Sequence, residues 1–452
     1  MGLSYTEAIR LVEAEAYRKR NVFLSRAETC SIYAARGRIA RHTIYSPIST
    51  PRFDTSAMDG YALSSAATKD ATVEYPRTFE VKGITAAGDE PFTEVKHDGV
   101  IPPCVEIMTG APFPTTIDQE HFDCCIRYED LKAEERSGRR FITVTKPAKP
   151  NQNRRLAATD FRTDDVIVKE GELIHPNHVM AMASVGITEL SVLPKPRIAI
   201  FSTGSELLPV KEESTKLHRI SDSNGPYLTA TLEDWGAIVD FLGVIPDQPE
   251  DMEQALLRGL HGSRYDLIIS SGAVSAGRYD FIPAVLERLR ARTVFHKVEM
   301  RPGHPVLFSM LPRPETGPDS EVAFFGLPGN PVASAACLRF IVAPYLSTIQ
   351  LQPQEKPYKA RIMAMDSKLG SRHGIPPATG SSKPVTTVPM EKDVFRPGTF
   401  CGSTDQDLIV QLISDHSPGK IKPFLEANCW IRIPPGVSEV REGDLVGIYP
   451  MR

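Results

Sequence analysis

At 452 residues the chain is too long for one ordinary core, and about three or four domains is the expectation. Hydrophobic content of 41% and charged content of 24% are those of a soluble globular protein, and a net charge of -4 leaves no electrostatic case for nucleic acid. No apolar stretch approaches the roughly 20 residues that span a bilayer, and seven cysteines without CxxC spacing read as free thiols of a reducing, cytoplasmic compartment.

The N-terminus is an amphipathic helix with acidic residues, not a signal or transit peptide: from Tyr5 to Lys19, Ala8, Ile9, Val12 and Ala16 recur near helical spacing. A second helix is expected over Ser25 to Arg41, capped by Ser25. Pro47 and Pro51 then force extended chain. The stretch Ser56 to Ala62 reads either as a turn into a strand or as a carboxylate, Asp59, beside backbone that passes close to a ligand. Residues 65 to 147 form a β-rich module with alternating polarity and Gly punctuation. Within it, Val105 to Pro112 is a strand entering a Gly-Ala-Pro turn, where Thr109 either bonds locally or faces a ligand. Adjacent Cys124 and Cys125 fit two semi-buried strand positions better than a redox pair. The cluster Asn153, Arg154, Arg155 and Asp160 is either solvated or suited to anions. His175 and His178 stand three apart on a short helix ending at Gly186; with no third ligand nearby, a helix-start cap or a surface role suits them better than a metal.

The chain is organised around Arg197 to Leu346. Short apolar runs lead into three turns, FSTGSE (Phe201 to Glu206), SSGAVSAGRYD (Ser270 to Asp280) and GLPGNP (Gly326 to Pro331), each followed by helical patterning. Such runs predict parallel strands buried on both faces, whose carboxyl ends deliver the turns to one crevice. Asp222 or Ser223 is the expected N-cap of the helix after SDSN, a role that competes with a ligand role for Asp222. Lys297, Arg301 and His304 surround a Pro-Gly turn and read equally as an anion site or a solvated turn. Pro328 and Pro331 stiffen the last turn, and Gly329 lets backbone approach a phosphate. Beyond about residue 350 the composition turns to a small β domain without catalytic clustering, expected to serve packing or dimer support.

The motifs SAMDGYA, MTGAP, FSTG-E, SDSN, SSG-VS-G-YDF and GLPGNP occur here in the order seen in the molybdopterin molybdenumtransferases, which include the bacterial MoeA proteins and the E domains of a plant homologue and of gephyrin. The chain resembles this family over nearly its whole length, including the AARGRIA stretch near the start. The resemblance implies a multidomain α/β plus β fold. Residues 1–46 and 148–190 would form one subdomain and 47–147 an inserted β-rich module. Residues 191–349 would form a three-layer α/β molybdopterin-binding subdomain, and 350–452 a C-terminal β domain. It further implies a homodimer whose crevice is completed by the other chain's module, carrying Asp59 and Thr109. The implied reaction inserts molybdate into adenylylated molybdopterin (molybdopterin-AMP) with a divalent cation such as Mg²⁺, and releases AMP. Carried over by motif, Asp222 and Asp280 would lie at the cation and pterin-phosphate site, and Ser271, Gly272 and Ser275 would cradle phosphate. Lys297 and Arg301 would face molybdate or phosphate, and Glu206, Arg278, His304, Gly326, Pro328, Gly329 and Asn330 would line the pocket.

Several positions depart from the family pattern. Ser205 replaces an acid, Ala273 a glycine, Arg278 an acid and His304 a lysine. They leave open a repurposed enzyme acting on another anionic small molecule, or a non-catalytic dimeric scaffold. For Arg278 they suggest partial substitution for the metal's charge beside Asp280.

Overall fold

The computed structural model describes residues 2–93, 100–115, 122–208, 219–261, 265–274, 281–313, 320–363, 384–403, 408–413 and 417–451. The helix Tyr5–Leu24 begins where Ser4 Oγ accepts from the Glu7 amide at 3.2 Å. Its buried stripe of Tyr5, Ala8, Val12 and Ala16 packs into the largest core. The expected second helix over Ser25 to Arg41 does not form. Glu28–Ser31 is a strand paired antiparallel with Glu189–Val192, followed by one short turn of 3₁₀ helix, Ile32–Ala34. Gly37 lies at φ +75°, outside helical space, and Thr29 to Ile32 lacks a helical apolar stripe, so pairing with a distant strand prevails.

The inserted module is a six-stranded sheet in the order Cys124–Arg127, Gly60–Leu63, Pro103–Ile107, Arg77–Thr85, Arg139–Val144, Lys132–Arg136. Cys124 and Cys125 are both buried and serve different core clusters, as strand alternation requires, so they are packing residues. His175 and His178 form a capping box at the start of helix Pro176–Ser184, where the His175 amide donates to His178 Nδ1 at 3.2 Å.

The central sheet orders its six strands as Ile238–Ile245, Arg197–Thr203, Leu267–Ser271, Glu321–Leu327, Leu307–Pro312, Arg292–His296. The first three pairings are parallel and the last two antiparallel. Arg197–Thr203, Leu267–Ser271 and Glu321–Leu327 are buried almost throughout, as expected of strands covered on both faces.

After GLPGNP one 19-residue helical run, Pro331–Ile349, is long and apolar enough to cross a membrane by composition alone, contrary to the expectation that no stretch comes close. It is a core helix: 72% of its 18-residue apolar stretch is buried. Its middle, Leu338–Val342, loosens into a π segment because Pro344 has no amide to offer the Phe340 carbonyl. The Tyr5 hydroxyl donates to that carbonyl instead, at 3.3 Å, which ties the N-terminal helix to the central one.

The C-terminal sheet has seven strands and is not confined to the C-terminal residues. Val298–Arg301 joins it in parallel, with Met300 opposite Asp393 and Arg301 opposite Val394, and Leu3–Ser4 pairs with Val298 and Glu299 on its other side. Phe395 stacks on Phe340 with centroids 4.0 Å apart, and Trp430 and Tyr449 pack edge-on against the same ring. This aromatic cluster clamps the two bodies together along the strand that carries Arg301.

Candidate active site

The three turns do converge. Thr203, Ser271 and Leu327 end adjacent parallel strands, with Ser202 level with Ser271 and Ser271 level with Leu327. The Gly272 amide donates to the Leu327 carbonyl at 2.9 Å, and Thr203 Oγ1 donates to the Ser271 carbonyl at 3.3 Å. Ser271 Oγ donates to the Pro328 carbonyl at 3.5 Å. The side chain that fastens all of this is Asn224, only 8% exposed: its Nδ2 donates to Ser271 Oγ at 2.7 Å and to the Gly329 carbonyl at 2.7 Å. One amide thus joins the SDSN segment, the second turn and the third.

Asp222 caps the helix Asn224–Asp234 from outside, its Oδ1 accepting from the amides of Asn224 (3.0 Å) and Gly225 (3.2 Å). Ser223, the alternative, makes no side-chain cap. The capping and ligand roles of Asp222 are compatible, because its Oδ2 is buried and without a partner. Glu206 is exposed in the first turn, and Gly326 is buried at the end of its strand. The glycine under most constraint is Gly272 rather than Gly329. At Gly272, φ is +104° and an added Cβ would lie 2.5 Å from the Thr203 carbonyl oxygen; at Gly329 the nearest atom would be the Gly272 Cα at 3.7 Å.

Two departures acquire a physical meaning. Ser205 donates its amide to Asp247 Oδ2 at 2.9 Å, and the Asp247 amide returns a bond to Ser205 Oγ at 3.4 Å. A carboxylate from the neighbouring strand end therefore docks on the turn that lacks one. Ala273 sits at φ +54°, a left-handed conformation that glycine adopts without a steric penalty. Ala273→Gly is accordingly expected to raise stability by roughly 1 kcal/mol, seen as a higher denaturant midpoint at unchanged slope. A lower midpoint would show that the methyl contributes packing that outweighs the strain.

Beside the crevice lies a cavity of about 360 Å³ between the central and C-terminal sheets. Arg301, His304, Pro328, Asn330, Lys392 and Pro418 are among its lining residues. The GLPGNP turn is therefore a wall of both spaces: the Gly329 carbonyl faces Asn224, and Pro328 and Asn330 face the cavity. Arg301 is exposed at its mouth. Two residues beyond the partner of Arg301 stands Arg396, 8% exposed, its Nε buried without a partner. Burial, and the nearby Arg301 charge, push the Arg396 guanidinium pKa down to about 10. A buried cation beside another cation, with an unused donor, is an arrangement that an oxyanion completes. Lys392 bonds Glu299 at 3.0 Å.

The other expected residues are placed differently. The Lys297 backbone lies at φ +76° and bridges Leu3 and Val306, and its side chain is not among those lining the cavity. Asp59 and Thr109 stand together on the module's sheet: Asp59 Oδ1 accepts from the Thr109 amide at 2.6 Å and from its hydroxyl at 2.8 Å. These bonds, the amide first, hold the exposed Asp59 carboxyl below its usual range. Ser275, Arg278 and Asp280 lie outside the described residues. Among the described residues no group of three or more His, Cys, Asp or Glu side chains is arranged to hold a metal ion. Sequence reasoning missed Asn224, Asp247, Lys392 and Arg396. Only Arg396 left a signal: it shares strand parity with buried Val394, a position where an arginine is out of place.

Family models match the chain in three consecutive pieces: the MoeA N-terminal region (domain I and II) over residues 3–186, a probable molybdopterin binding domain over 199–348, and the MoeA C-terminal region (domain IV) over 383–451. The molybdopterin molybdenumtransferase of Synechococcus elongatus is 32% identical over 346 residues, 76% of this chain and 80% of that protein. That of Haemophilus influenzae is 30% identical over 430 residues, 95% of each. Two solved structures of MoeA proteins from Pyrococcus horikoshii superpose with TM-scores of 0.74 and 0.72, at 25% and 21% identity, over 100% of both chains.

Proposed function

Because this chain belongs to the molybdopterin molybdenumtransferase family, we propose that it inserts molybdate at the dithiolene sulfurs of adenylylated molybdopterin and releases AMP. The observation that carries this reading is the shared GLPGNP wall, with a hydrogen-bonded turn crevice on one side and a cationic cavity on the other. Phosphates lie against Ser271, Gly272 and Gly329, held rigid by Asn224. Molybdate sits between Arg301 and His304, with Asn330 and Pro328 between the two ligands and the buried Arg396 charge behind Arg301. The unpartnered Oδ2 of Asp222 is a hard oxygen donor that fits Mg²⁺. A bound ion there would offset phosphate charge as the anhydride is cleaved. Cys30, Cys104, Cys124, Cys125 and Cys337 are free thiols among the described residues, which supports a reducing, cytoplasmic setting that cell fractionation will test.

The exposed Asp59–Thr109 pair stands on a separate sheet, and we place it over the crevice of a second copy in a homodimer. The test is AMP release from molybdopterin-AMP with molybdate and Mg²⁺. Asp59→Asn and Asp222→Asn are each expected to be inactive alone. Subunit exchange between them should restore about a quarter of normal activity, since half the dimers are mixed and half their sites intact. Inactive mixtures would rule out composite sites. Ligand binding without AMP release would mark a repurposed enzyme, and no binding a scaffold.

A further inference from the structure

His304 stands on the wall of the junction cavity, in the turn that follows Arg301. Its Nδ1 lies 2.8 Å from the backbone carbonyl of Val298. A carbonyl oxygen only accepts, so Nδ1 must carry a hydrogen and donate it. The neutral ring is therefore held as one tautomer, with its lone pair on Nε2. In that form Nε2 has nothing to donate to an oxyanion. Once protonated it becomes both a donor and a positive charge.

The groups around the ring leave this change as the variable one. On its own body, the Glu299 carboxylate lies 3.9 Å from Nδ1. The bond from Lys392 holds that carboxyl below the usual range, so it stays ionised near neutral pH. Lys392 and Arg301 line the same cavity, and the buried Arg396 stands behind Arg301 rather than on the cavity wall. Asp393 is taken up by Arg432 at 2.8 Å. The Cys337 thiol bonds the Gly303 carbonyl, and burial pushes its pKa well up, so it stays neutral. Imidazole is the side-chain class that ordinarily changes charge between about pH 5 and 8.

We propose that His304 governs capture of a tetrahedral oxyanion in this cavity, binding being coupled to uptake of one solvent proton at Nε2. The resembled family carries a lysine at this place, a group charged throughout that range. The inference rests on reading the cavity as the molybdate site. Its sign follows from linkage. A bound dianion favours the imidazolium, so affinity is full at low pH and falls as pH rises.

The test is calorimetric titration of the full-length protein with molybdate alone, at roughly pH 6 and pH 8, in buffers of differing ionisation heat. Natural protein should bind at least about tenfold more weakly at the higher pH and take up close to one proton on binding there. His304→Lys should bind with little change across the range, and His304→Gln weakly at both pH values. A flat profile without proton uptake in the natural protein, with binding still lost in Arg396→Met, would overturn the role of His304 and leave the cavity reading intact. No molybdate binding at either pH would overturn both. Should His304→Gln fail to fold, the contrast between the natural protein and His304→Lys decides the matter.

Discussion

Gly272→Ala is expected to destabilise the protein by about 2–4 kcal/mol and abolish ligand binding. The cause is local and twofold. The backbone at Gly272 adopts φ +104°, where a side chain is strained whatever the space around it. The added methyl would also lie 2.5 Å from both the Thr203 carbonyl and Oγ1, and the carbonyl is part of a buried strand that cannot retreat. The Gly272 amide bond to Leu327 and the Asn224 bonds across the turns would be strained with it. Gly329→Val makes the contrast. Its Cβ would meet nothing nearer than 3.7 Å, so the fold should survive while the phosphate surface is blocked. Chemical denaturation together with calorimetric binding separates the two. Equal, near-natural stability of both variants would mean that the turns are not interlocked as described.

The second large effect is expected at Arg396, where affinity and stability should part company. Arg396→Met removes a buried guanidinium that has an unpartnered Nε and faces the Arg301 charge. Losing it should leave thermal stability unchanged or slightly higher, because an apolar side chain avoids desolvating a charge. Molybdate affinity should fall about 10-fold, since the positive charge behind Arg301 is gone. A clearly lower melting temperature with unchanged molybdate affinity would show Arg396 to be a structural residue. Arg301→Met, at an exposed position, should weaken binding less and scarcely move the melting temperature.

The crevice was legible because its signals are local. Each apolar run ends in Gly or Ser at a strand's carboxyl end, and geometry brings such ends together. Asn224 was not legible. As a residue type it reads as part of a helix start, and its bridging of Ser271 and Gly329 exists only after three segments meet. The helix expected over Ser25 to Arg41 failed for a related reason: Glu28–Ser31 finds its partner, Glu189–Val192, far along the chain. The C-terminal domain was read as packing or dimer support because it shows no catalytic clustering, and Arg396 is a single arginine in its strand. Its neighbour Arg301 arrives from another part of the chain through the parallel pairing with Val394. For Ala273 the substitution was visible, but the sign of φ that makes it strained was not.

Together these two adjoining spaces are expected to perform molybdenum insertion in a cell. Expression of the natural chain in a strain lacking its molybdenum insertase, read by nitrate reductase activity, addresses it most directly. Activity should return with the natural chain and fail to return with Gly272→Ala or Arg396→Met. A folded, well-expressed natural chain that restores no nitrate reductase activity would contradict the account.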